Sequence, residues 1–293
     1  MNAKNPCENY EIILKFSANI YNMKSPFIKS SFIFVICFFS LSILAKGQDF
    51  EVSPVKLYFS AEPGENQTKT ISIKNHGNSK VSMLVSLGDF VPSENGDKKM
   101  LPPNTTKRSC ANWLNINPSF FELNPGEERT VSVTILVPTS EAASSWCLLY
   151  IQPAKEQTAF GADKAVNTGI LVTGRIVVQI FQTPKSNSND LVKVYNLKEI
   201  PSDKEKVKKY AVTLDNLGEK INTCKVYLIL SDIKTAEEKQ YPPVEVETYP
   251  KSTRDVILEL PSDIAPGQYA LAAVVDYGSK NNLEGTQITI DIK

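Results

Sequence analysis

Residues able to carry acid–base, nucleophilic or metal chemistry are few and scattered along this chain. Histidine, the commonest general base and metal ligand, occurs once, as His76 beside Gly77, where a solvated turn residue is the expectation. The carboxylates form no convincing pair. There is no Gly-x-Ser-x-Gly elbow, no phosphate-cradling glycine loop and no cysteine pair at zinc spacing. The reading is therefore no enzyme, no metal and no cofactor. Lys and Arg (32) balance Asp and Glu (32), so the basic excess that would neutralise phosphates is missing and no nucleic-acid partner is expected.

One segment does offer binding chemistry. Thr168–Pro184, "TGILVTGRIVVQIFQTP", is long and almost continuously apolar. In extended backbone Ile170, Val172, Ile176, Val178 and Ile180 share one face, and Leu171, Val177 and Phe181 share the other with Thr173, Arg175 and Gln179. A strand apolar on both sides needs more cover than its own sheet supplies. It is either an edge that pairs with a client by strand addition or a strand packed on both sides between two domains.

The elements that must position this segment are strands. Period-two alternation recurs in short runs bounded by Pro, Gly, Asn and Asp. It predicts strands near 50–59, 67–74, 80–88, 112–122, 129–137, 145–152 and 169–182, then near 191–198, 208–215, 221–230, 244–248, 253–260, 268–275 and 286–292. Seven and seven suit two immunoglobulin-like β-sandwiches in tandem, an all-β fold. "TSEAASS" has room for one helical turn.

The two halves also repeat each other. "ISIKNHG" matches "VTLDNLG", aligning Asn75-His76-Gly77 with Asn216-Leu217-Gly218, where glycine suits a tight connection with positive φ. "LNPGEERTVSVTILVP" matches "TYPKSTRDVILELP" without the glycine. The first half carries extra polar, proline-containing sequence at Phe90–Ser109, read as a loop. The expected division is a signal peptide over 1–47, a first domain over 48–183, a linker over 184–190 and a second domain over 191–293.

The signal peptide rests on Lys24 and Lys29 ahead of the apolar run Phe32–Ala45, with small residues at Ala45 and Gly47; Met23 offers an alternative start. A run of about 14 residues is short of the roughly 20 that span a bilayer. No integral membrane segment is expected after cleavage, and the product should be periplasmic or secreted. In that oxidising setting Cys110, Cys147 and Cys224 remain after Cys7 and Cys37 are removed. Cys110 and Cys147 are candidates for a disulfide, the alternative being three small buried hydrophobes.

The order of "FEVSPVKLYF", "ISIKNHG", "INPSFFELNPGEERTVSVTI", a long loop and a strand ending "IVVQIFQTP" resembles the periplasmic pilus-assembly chaperones, the PapD-like group, mainly over the first half. The resemblance implies an L-shaped pair of domains that donates the last strand of the first to a surface or fibre subunit. On it, Ile170, Val172, Gly174 and Ile176 are the donor positions, with Gly174 in a slot usually filled by a larger apolar residue. It also implies two cations holding the client's terminal carboxylate. Lys56 falls near the first; the second falls on Gln179, with Arg175 nearby on the strand. The expected function is a non-enzymatic chaperone with a protein client, fimbrium biogenesis being the setting. The alternative is a structural or adhesion-type envelope protein without a client. A third reading, glycan binding, needs an exposed aromatic platform, and Trp113 and Trp146 lie in strand-like runs where burial is expected.

Overall fold

A computed structural model of the chain describes residues 50–154, 174–203, 206–278 and 283–293. The fold is all-β, built from four sheets. The first pair draws on residues 50–182. Strands β1 (Phe50–Ser53), β3 (Asn66–Asn75), β8 (Glu128–Leu136) and β6 (Leu114–Asn117) form one antiparallel sheet in that order. Against it lies a sheet ordered β2 (Lys56–Phe59), β10 (Ile176–Gln182), β9 (Ser145–Pro153), β4 (Val81–Pro92) and β5 (Lys98–Leu101), with β7 (Phe120–Leu123) also paired to β4. Alternation does the packing: in β8 Val131, Val133 and Ile135 are fully buried while the residues between them face outward. They meet Met83, Leu149, Val178 and Ile180 of the facing sheet, each burial being worth about 1.5–3 kcal/mol.

The second pair draws on residues 192–292. β11 (Val192–Ile200), β12 (Val207–Asn216) and β16 (Ser252–Pro261) face β14 (Glu238–Gln240), β13 (Asn222–Asp232), β17 (Gly267–Asp276) and β18 (Glu284–Ile292), with β15 (Val244–Thr248) paired to β13. Its core is separate and includes Tyr210, Leu214, Cys224, Val226, Leu258, Leu271 and Val275.

The repeat in the sequence is a repeat of hydrogen bonds. Pro63-Gly64 and Pro125-Gly126 hold the central positions of matching turns, with Glu65 N donating to Glu62 O at 2.9 Å and Glu127 N to Asn124 O at 3.0 Å. Gly64 (φ +85°) and Gly126 (φ +75°) supply the positive φ of a type II turn. The third copy keeps the turn without glycine, Lys251 standing at φ +56°. At Asn75-x-Gly77 and Asn216-x-Gly218 the asparagine is the working residue. Each side-chain oxygen accepts the glycine N–H, at 2.9 and 3.0 Å, and each amide donates to a carbonyl of the turn that follows, Ser79 O or Lys220 O, and to one on a neighbouring strand, Leu123 O or Thr248 O. Neither Gly77 nor Gly218 is at positive φ, contrary to the sequence reading; Gly218 is small because a Cβ there would meet Asn189 O at 2.4 Å.

Four further expectations need correction. The run 50–59 is two strands in different sheets, the chain changing sheet at Pro54 and Val55. The run 112–122 likewise divides around Pro118, because proline has no N–H for the ladder, and its start is a 3-10 turn, Ala111–Trp113. The stretch Phe90–Ser109 is not all loop: β4 extends to Pro92 and returns as β5 through a turn with Gly96 at φ +89°. No helix forms in 139–145.

Candidate functional site

The described part of the last first-half strand is β10. On its inner side it pairs antiparallel with β9 along its whole length, Ile176 opposite Ile151 through Gln182 opposite Ser145. On its outer side β2 pairs with it in parallel, but only over Gln179–Gln182. Gln179 N donates to Val55 O at 3.0 Å and Thr183 N to Phe59 O at 3.1 Å. Successive residues turn their N–H and C=O to opposite sides, so Arg175 and Val177 direct theirs the same way as Gln179, beyond the end of β2. No described residue pairs with that stretch of rim.

The faces divide in the same way. Val178 and Ile180 are buried in the first core, and Ile176 is partly buried against it. Gly174 is exposed, with nothing within 4 Å of where a Cβ would stand. Ile170 and Val172 lie outside the described residues. On the opposite face Phe181 is buried, stacked on Tyr58 of β2 at 5.2 Å and joined by Tyr249 of the second half of the chain at 6.4 Å. Phe90, Trp146, Leu148, Tyr150, Phe181 and Tyr249 form one buried cluster with Val177 and Ile221 against it. Tyr249 meets Trp146 edge-on at 5.0 Å and Phe90 at 5.6 Å. Over Gln179–Gln182 the rim of β10 is taken up by β2, while at Arg175–Val177 it has no partner among the described residues.

The cations expected to work together are apart. Lys56 is in register with Gln179, four positions from Arg175, or about 13 Å along a strand. Arg175 lies 4.7 Å over the Tyr150 ring and donates to Gln152 Oε1 at 2.8 Å. The cation that joins Lys56 is Lys98, from the hairpin read as a loop. Its Nζ donates to Gln179 Oε1 at 2.7 Å and sits 5.4 and 5.8 Å from the Phe90 and Tyr249 ring centres. Both lysines hold one internal carboxylate: Glu247 on β15 accepts from Lys56 Nζ at 2.7 Å and Lys98 Nζ at 3.3 Å, and from the Tyr249 hydroxyl at 3.0 Å. Burial alone would raise the Glu247 pKa, but the Lys56 hydrogen bond, the Lys98 charge and Tyr249 outweigh it and hold it below the usual carboxylate value. The hydrogen bond to Glu247 raises the Lys56 pKa in turn.

Lys98, Glu247 and Tyr249 were not found from the sequence. Asn95-Gly96 between two stretches with apolar residues is a hairpin signal that brings Lys98 beside β4. Nothing in the local sequence marks Glu247 or Tyr249, which lie far from their partners along the chain. Among the described residues no three His, Cys, Asp or Glu side chains cluster as metal ligands, and no helix is long and apolar enough to cross a membrane. His76 is half-exposed and hydrogen-bonds Glu51. Trp146 is buried at the junction and Trp113 packs partly against the first core. Cys110 and Cys147 are brought together as two thiols, with Sγ atoms 3.2 Å apart.

No protein-family model matches this chain, and no curated protein matches it. Solved structures with a similar fold include fimbrial chaperones. A chain from a chaperone–tip adhesin complex of CFA/I fimbriae biogenesis is 10% identical, covering 83% of this chain and 98% of its own, with a TM-score of 0.47. The class 5 fimbriae chaperone CfaA is 10% identical, covering 82% and 98%, with a TM-score of 0.44. The YadV chaperone is 11% identical, covering 83% and 100%, with a TM-score of 0.40.

Proposed function

We propose that this chain is a non-enzymatic, extracytoplasmic chaperone-like protein that binds an extended strand of a surface or fimbrial-type subunit by strand addition. The single observation behind the reading is the rim at Arg175–Val177, unpaired among the described residues, where β2 stops short of the length of β10. A rim of free N–H and C=O groups is a template for another strand. The segment before it, with Ile170 and Val172, continues the apolar alternation into the client's groove, and Gly174 leaves room for a large client side chain. The signal-peptide pattern puts the protein in the periplasm or outside the cell, organised as two domains over 48–183 and 191–293 with a short linker. The client is a protein, and no nucleic acid is involved.

The second reading is a structural envelope protein without a client. It is favoured by Glu247, which already pairs with both Lys56 and Lys98, and by Tyr249, which helps cover the Phe181 face.

Val177→Pro separates the two. It removes one N–H from the free rim and leaves the β9 ladder intact, since Val177 faces the other way. Tagged protein is recovered from its native envelope and bound proteins are identified. The chaperone reading expects a surface subunit with the wild type, and its loss with Val177→Pro at a melting temperature close to wild type. Equal recovery with both proteins, or none with either, favours the structural reading.

A further inference from the structure

Cys110 and Cys147 are 37 residues apart in sequence, yet their backbones run side by side. Ser109 and Trp146 form a parallel bridge. Trp146 N donates to Arg108 O at 2.8 Å, and Cys110 N to Trp146 O at 3.4 Å. The two side chains enter the first core together, both fully buried, with Sγ atoms 3.2 Å apart. The third described cysteine, Cys224, is buried in the other core beside Thr248, so among the described residues Cys110 and Cys147 have only each other.

From this juxtaposition we propose that Cys110 and Cys147 are a disulfide site, oxidised in an oxidising compartment before the first sandwich closes. The bond would enclose β6, β7 and β8, which belong to both sheets of that sandwich, and tie them to β9, the strand against which β10 pairs. The oxidant is a disulfide, either of a thiol–disulfide oxidoreductase or of glutathione. One cysteine thiolate attacks a sulfur of that disulfide, forming a mixed disulfide and releasing one thiolate. The second cysteine thiolate attacks the cysteine sulfur of the mixed disulfide, closing the Cys110–Cys147 bond and releasing the other thiolate. Two electrons pass to the oxidant, and it leaves as thiols carrying the two protons. In the closed fold the reaction is suppressed, because burial, reinforced by Cys110, raises the Cys147 pKa well above its ordinary value and attack needs the thiolate. The same burial protects the bond once it is made.

The test refolds the full chain from denaturant in a reduced–oxidised glutathione buffer. Free thiols are then alkylated under denaturing conditions, and the tryptic peptides are mapped by mass. Trypsin separates the two cysteines into Ser109–Arg129 and Thr130–Lys155. The expected result is these two peptides linked, with Cys224 alkylated. The reductant arm expects a melting temperature several degrees lower for the wild type, and no such change in a Cys110→Ala/Cys147→Ala double variant. Alkylation of both cysteines after oxidative refolding overturns the proposal, as does a bond from either to another cysteine or a wild-type melting temperature indifferent to reductant.

Discussion

Glu247 Oε1 stands 2.7 Å from Lys56 Nζ, a carboxylate of the second sandwich held by a cation of the first. Lys98 closes on its other oxygen at 3.3 Å. The Glu247 side chain is 19% exposed and that of Lys56 41%, so solvent screens part of the attraction and the pair is worth about 1 kcal/mol. The folded Glu247 pKa lies below its unfolded value. Its contribution is therefore present above the unfolded pKa and is lost as pH falls through the folded one. Lys56, raised in the fold, loses its share only as pH rises through its folded pKa. Between about pH 5 and 10 the pair adds a constant amount. Denaturant melts of wild type and Glu247→Gln are expected to differ by that amount at pH 7 and to converge as pH falls through the lowered folded pKa of Glu247. A gap that persists undiminished in acid would mean the charge is not what holds the contact.

Tyr249 fills the junction with its ring and orients Glu247 with its hydroxyl, so its two parts can be separated by substitution. Tyr249→Phe keeps the edge contacts with Trp146 and Phe90 and loses one hydrogen bond to a charged group, at about 1.5 kcal/mol. Tyr249→Ala removes the ring and is expected to cost about 3–5 kcal/mol, with faster amide exchange at Trp146 and Phe181. Equal costs for the two variants would show that the ring is not the contact that matters.

Alternation in the sequence told which face of each strand is apolar; it did not tell what covers that face. Val131, Val133 and Ile135 were legible because one sheet must bury them against another. The run Ser145–Ile151, buried at every residue, reads equally well as a strand between two layers, but its second layer is Tyr249 and its neighbours, about a hundred residues away. Lys98 was missed through reading polar, proline-containing sequence as loop when an Asn-Gly turn lay inside it. Proline marked the two divided strands: Pro54 and Pro118 each stand where the chain passes from one sheet to the other, and an unbroken alternating run concealed them.

Gly218 is explained by close approach and not by turn geometry, which gives a prediction free of the binding question. A Cβ at 218 would stand 2.4 Å from Asn189 O and 3.0 Å from Leu191 N. Both are backbone atoms that cannot swing away, and Gly218 N and Glu219 N bond into the same segment, to Leu191 O and Asn189 O. Gly218→Ala is expected to cost about 1–3 kcal/mol and to expose the 185–190 segment to proteolysis. A loss within 0.5 kcal/mol would show that the segment moves aside freely.

Whether the Lys56–Lys98 pair is a seat for a client's carboxylate or only a brace between sandwiches turns on what Glu247 does when a client arrives. A terminal carboxylate can take the seat only by displacing Glu247, so the internal carboxylate is a competitor. Glu247→Gln removes the competing charge and should strengthen capture of a purified client subunit. Lys98→Met and Lys56→Met leave one cation each and should weaken it, by about tenfold for a lost charge-assisted hydrogen bond. Amidating the client's C-terminus should abolish the difference between wild type and the lysine variants. A brace predicts another pattern: all three variants lose stability, and client affinity follows none of them. Measured together, melting temperature and affinity separate the cases, because displacement moves Glu247→Gln and Lys98→Met in opposite directions on affinity while both lower the melting temperature.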